Sequence, residues 1–160
     1  MTIDVRPAEM RDAEALGRLG ATLVRAHYAF DPQRFLAPVE GIEQGYASFL
    51  GSVMGDRDAR VLVAVQDGRV VGYVYAALEP LSWKELRGPA GFIHDVAVAE
   101  EVRRTGIATA LLEAALEWLR ERGVPRVVIW TASKNDAARN LFARRLGFRE
   151  TMVEMTRELD

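Results

Sequence analysis

Residues 91–131 constrain the fold of this chain more than any other stretch. An apolar, strand-type run at 91–99 leads through a short polar loop into a helical run at 105–122. Gly123 fits the helix C-terminus, Pro125 follows it, and 126–131 reads as a strand of buried type. A helix returning the chain to a second strand is the connection a parallel pair requires. Upstream, Asp67-Gly68 between the β-rich runs 60–65 and 70–78 signals a hairpin, so antiparallel pairing accompanies the parallel pair.

The remaining elements complete that sheet. Residues 3–5 read as a short strand, and Arg6-Pro7 precede a helix with Ala15, Leu16, Leu19, Leu23 and Val24 on its apolar face. Asp31-Pro32 break the pattern, and an aromatic-rich loop follows. A second helix is expected over 40–54, a loop carrying Trp83 over 80–90, a helix from about Asn135 to Leu146-Gly147, and a last strand over 152–156. The expected architecture is α+β: one domain over 1–160, with a mixed, mainly antiparallel sheet of six to seven strands and helices on both faces.

Composition narrows the function classes. With 49% hydrophobic and 28% charged residues in 160, the chain can bury a substantial core. A net charge of −2 argues against general nucleic-acid binding. The absence of cysteine removes disulfides, thiolate nucleophiles and Cys-ligated zinc, and no ligand cluster suggests another metal. No apolar run approaches ~18 residues and no leader is evident, so no membrane association and a cytoplasmic location are expected.

The loop Arg103-Arg104-Thr105-Gly106-Ile107-Ala108 carries the chemistry. First-turn N–H groups lack helical partners, the helix dipole adds positive character there, and a glycine lets a phosphate approach the backbone. The pattern is neither G-x-G-x-x-G nor a P-loop. A turn glycine flanked by solvated arginines is the plain alternative.

Together with Asp95-Val96-Ala97-Val98 before it and Leu111-Leu112 after it, this loop resembles the signature of the GNAT superfamily of acyl-CoA-dependent N-acyltransferases. Residues 135–142 (Asn-Asp-Ala-Ala-Arg-Asn-Leu-Phe), ending in Leu146-Gly147-Phe148, resemble a second block of that family. The resemblance is specific over 90–150 and limited to element order over 1–80. It implies acetyl-CoA as co-substrate, with Arg103, Arg104, Thr105, Gly106, Ile107, Ala108 and Thr109 holding the pyrophosphate. It further implies that the backbone of Val96, Ala97 and Val98 binds the pantetheine arm, and that Asn135, Arg139 and Phe142 lie against the cofactor.

Amine acylation needs a base, because an ammonium is not a nucleophile. His94 is the favoured candidate, since an unperturbed histidine titrates near ~6.5, and Asp95 ranks second. Strand alternation points the two to opposite faces. A histidine satisfied by a local hydrogen bond is the competing reading. Phe142 departs from the family, many members of which carry a tyrosine there as acid for the leaving thiolate. Water, Tyr73 or Tyr75 could replace it, or no acid is needed. His27, Tyr28, Phe30 and Trp83, with Phe35 and Lys84, are candidates for the acceptor side. The expected activity is acetyl transfer to a primary amine of a small molecule by direct attack, with no nucleophilic cysteine or G-x-S-x-G motif to favour a covalent route. A protein or peptide amine, and a non-catalytic acyl-CoA-binding module, are the alternatives. Homodimerisation is left open.

Overall fold

The computed structural model describes residues 2–160. Strand β1 (Asp4–Pro7) leads into helix α1 (Ala13–Phe30), which Asp31 ends in extended conformation, and helix α2 (Ile42–Val53) follows. The hairpin forms β2 (Ala59–Gln66) and β3 (Arg69–Glu79), closed by Asp67 and Gly68 at φ 51° and 75°. Two positive φ values in succession are what a type I′ turn needs. Strand β4 (Ala90–Val98), helix α3 (Ile107–Glu121), strand β5 (Val127–Ile129) and the short helix α4 (Asp136–Asn140) complete the chain. The sheet order is β1-β2-β3-β4-β5, antiparallel throughout except for the parallel β4–β5 pair.

Each face of the sheet has its own core. Ile107, Leu111, Leu112, Ala115 and Leu119 of α3 pack on Leu62, Ala64, Val74, Ala76 and Ile93. On the other face, Leu16 and Leu19 of α1 and Leu50 of α2 meet Val61, Val63, Tyr73 and Ala97. Each fully buried aliphatic side chain contributes about 1.5–3 kcal/mol. The α1–α2 crossing is close because Gly20 has no side chain: a Cβ there would sit 2.1 Å from the Tyr46 ring. That contact fixes the tyrosine over the sheet. Among the described residues no helix is long and apolar enough to cross a membrane.

Three expectations are corrected. The sheet has five strands among the described residues, not six to seven, because residues 149–160 form no strand. Their strand-type composition finds no ladder, since β propensity acts through packing partners and the β5 edge is three residues long. Met152, Val153 and Met155 are exposed instead. Helix α3 begins at Ile107 rather than Thr105, because Arg104 and Gly106 take left-handed φ values of 65° and 87°. The last helix is present over the expected span, widening after Asn140 into a π turn over Leu141–Arg145, where Leu146 N donates to Leu141 O at 3.3 Å. Strand β5 is half-buried and ends at Ile129, so Trp130 emerges 74% exposed.

Candidate functional site

The site originates in a register defect. Tyr75 of β3 pairs with Asp95, but Ala76 pairs with Ile93, so β4 carries one extra residue, His94. Such a bulge bends its strand and re-aims a side chain. Pairing of β4 to β5 stops at Ile93↔Ile129. Beyond that point the strands part and leave a wedge of about 310 Å³.

The bulge corrects the expectation that His94 and Asp95 face opposite ways. Both lie on the α1–α2 side. His94 stacks on Phe92 with ring centroids 5.4 Å apart and lies 4.9 Å from the Tyr75 ring. Asp95 Oδ2 accepts from Tyr73 Oη at 3.0 Å and from Tyr46 Oη. Burial, reinforced by Asp95, pushes both phenols well above the ordinary tyrosine range. They keep their protons and serve Asp95 as donors. Tyr73 is fully buried on the face opposite the Phe142 core, so its hydroxyl is not free for another task.

His94 Nε2 lies 2.9 Å from Glu79 Oε1. A carboxylate only accepts, so Nε2 carries the hydrogen in this pair and Nδ1 is left to take a proton. Glu79 was absent from the sequence reading. Its signal is the alternation Tyr75, Ala77, Glu79, which puts all three on one face of β3 beside Phe92 and His94. Tyr46 and Leu36 also line the wedge and went unnoticed, because α2 and the loop after α1 reach the sheet only through tertiary packing.

The opposite side of the wedge carries the backbone donors. Ala99 N donates to Val71 O at 2.8 Å, and antiparallel ladders alternate, so Ala97 also turns to β3. The N–H and C=O groups of Val96 and Val98 therefore turn away from β3, and Val96 lines the wedge, while the Ala97 side chain packs in the α1–α2 core. Val98 O accepts from Arg103 Nε at 3.3 Å. Thr105 Oγ1 donates to Val102 O at 2.5 Å, which ties the loop down. The first helical bond runs from Ala110 N to Gly106 O, and among the described residues Ile107, Ala108 and Thr109 N–H find no partner in the chain. Nothing lies within 4 Å of a Cβ built on Gly106, so the helix end is open. Neither Arg103 nor Arg104 is in an ion pair among the described residues. These features fit a diphosphate at the helix end and an extended thiol arm along β4.

Asn135 and Phe142 line the wedge. Asn135 Oδ1 also caps α4, accepting from Ala138 N at 3.2 Å. Phe142 is 6% exposed, packs edge-on to Phe148 and offers no proton. Arg139 is engaged by Glu150 and by Ser133 O at 3.0 Å, which turns it away from an anion. Of the acceptor-side candidates, His27 and Phe35 line the wedge. His27 Nδ1 donates to Leu23 O at 2.7 Å and meets Phe35 at 5.0 Å. Tyr28, Phe30 and Lys84 are outside the lining, and Trp83 stands 83% exposed on the 80–90 loop.

Known proteins resemble the chain in sequence and in fold. An N-alpha-acetyltransferase from Sulfurisphaera tokodaii is 35% identical over 101 residues, which is 60% of this chain and 60% of that protein. The chain spans 28–60% of the length of curated relatives it matches. A mutant of the BH1408 protein from Bacillus halodurans superposes with a TM-score of 0.82 at 24% identity, covering 98% of this chain and 99% of that one. The aminoglycoside N-acetyltransferase AAC(6')-Iy in complex with CoA gives a TM-score of 0.75 at 17% identity, covering 99% and 95%. These two likenesses establish the GNAT-like fold. The model of the acetyltransferase (GNAT) family matches residues 22–148, and the chain belongs to that family.

Proposed function

We propose that the chain transfers the acetyl group of acetyl-CoA to a primary amine of a small molecule by direct attack. The observation that carries this reading is the wedge itself. It is lined by Val96, whose backbone turns away from β3, and by His94, whose Nε2 lies 2.9 Å from Glu79 Oε1, where β4 parts from β5.

In this reading the helix end from Gly106 to Thr109 holds the pyrophosphate, with Arg103 and Arg104 adding charge. The Val96 N–H faces the thioester carbonyl and stabilises the oxyanion that develops there. His94 Nδ1 takes the proton from the attacking amine, and Glu79 orients the ring and supports the imidazolium. Asp95 holds Tyr46 and Tyr73 in place and is not the base. The thiolate leaves as the C–S bond breaks and the amide forms. A thiol titrates near ~8.5, so the departing sulfur needs little acid assistance, and Phe142 is compatible with turnover.

The test is release of free thiol from acetyl-CoA in the presence of a panel of amines, peptides and polyamines, with the product identified by mass. Amine-dependent thiol release matched by N-acetylated amine is the expected result. Coenzyme A binding with no thiol release on any acceptor would instead leave a non-catalytic acyl-CoA-binding module.

A further inference from the structure

We infer that the acceptor is a monoamine with an extended apolar or aromatic body, and that polycationic amines are poor acceptors; this rests on the acetyl-transfer reading above. A polycation such as an aminoglycoside or polyamine carries several ammonium groups, each needing a carboxylate or equivalent in a desolvated site. Among the described residues that line the wedge, Asp95 is the one carboxylate, and two tyrosine hydroxyls already bind it. Glu79, beside His94, is placed to meet one ammonium. A cation also lies close by: the Arg87 guanidinium sits 4.7 Å over the ring of Phe92, which stacks on His94, and pairs with Glu85 at 2.8 Å.

The walls on the acceptor side are apolar. Leu23, Val24, Phe35 and Leu36 line it, and Leu36 is 71% exposed at the rim. A continuous ladder of rings also runs along this face, Phe49–Tyr75–His94–Phe92–Trp130, with neighbouring centroids between 4.9 and 6.0 Å. Both ends are open: Phe49 is 47% and Trp130 74% exposed. Rings left in water beside an apolar cleft suit an apolar or aromatic ligand body, for which flat rings give large contact area at low entropic cost.

The test uses wild-type protein with a series of straight-chain alkylamines, an arylalkylamine, spermidine and an aminoglycoside. Thiol release is followed at fixed acetyl-CoA. We expect kcat/KM to rise about four-fold per added methylene until the cleft is filled. The best apolar monoamine should exceed both polycations by more than about ten-fold. Leu36→Glu, at the exposed rim, should shift preference toward spermidine by up to about five-fold. A flat chain-length series, or a polycation acetylated as well as the best monoamine, overturns this inference and leaves acetyl transfer standing. Thiol release from no amine, with coenzyme A still bound, overturns both.

Discussion

Gly106→Glu is expected to weaken coenzyme A binding by at least about 100-fold in an equilibrium titration, with the chain still folded. Two causes add. Gly106 sits at φ 87°, and an L side chain there strains the backbone by roughly 1–2 kcal/mol. The larger cause is charge. A carboxylate at the mouth of the helix end competes with phosphate for the free N–H groups of Ile107 to Thr109. Like charges about 4 Å apart near a protein surface repel by about 4 kcal/mol at an effective dielectric of about 20. Since 1.4 kcal/mol is about ten-fold in affinity, the charge term alone exceeds the predicted loss. Gly106→Ala separates the causes, for it keeps the strain and omits the charge, and its loss should stay near ten-fold. Unchanged affinity in the glutamate variant would remove the loop from the cofactor site.

His94→Ala should lower kcat by about 10²–10⁴-fold, the usual contribution of a positioned general base. The readout that separates a base from a merely structural ring is the pH profile. With His94 present, activity should fall as pH drops and the ring takes a proton; in the alanine variant that acidic limb should vanish. The KM for acetyl-CoA should hardly move, because the backbone sites proposed for the cofactor lie at Val96, Val98 and the α3 end. Glu79→Gln keeps an acceptor beside Nε2 and should lower kcat by less than His94→Ala does. An unchanged profile in His94→Ala would rule out His94 as the base.

How much of this was legible before the structure depends on range. The hairpin turn, the face of α3 that buries Leu111 and Leu119, and the Asn135 cap follow from local pattern, and all three are present. The helix start was misplaced because left-handed Arg104 and Gly106 cannot be read from propensity alone. The bulge at His94 was invisible for a deeper reason. It is a property of β3–β4 register, and one extra residue reverses every facing inferred from alternation beyond it. That single defect puts His94 and Asp95 on one side, a geometry that alternation along β4 misjudges. The strand expected at 152–156 failed because strand composition needs a partner edge. Two lining residues were missed for the same class of reason: Tyr46 reaches the wedge through packing of α2 on Gly20, and Leu36 through the loop after α1.

In the proposed reaction, donor and acceptor meet in one wedge and react directly. An inhibitor in which an apolar monoamine is joined to coenzyme A through the acetyl carbon tests it most directly. If both halves bind together, linking them gains affinity by effective concentration without any new contact. The adduct should compete with acetyl-CoA and with the amine alike, and bind at least about 100-fold more tightly than coenzyme A alone. An adduct that competes only with acetyl-CoA, and binds no better than coenzyme A, would contradict the shared site and direct transfer with it.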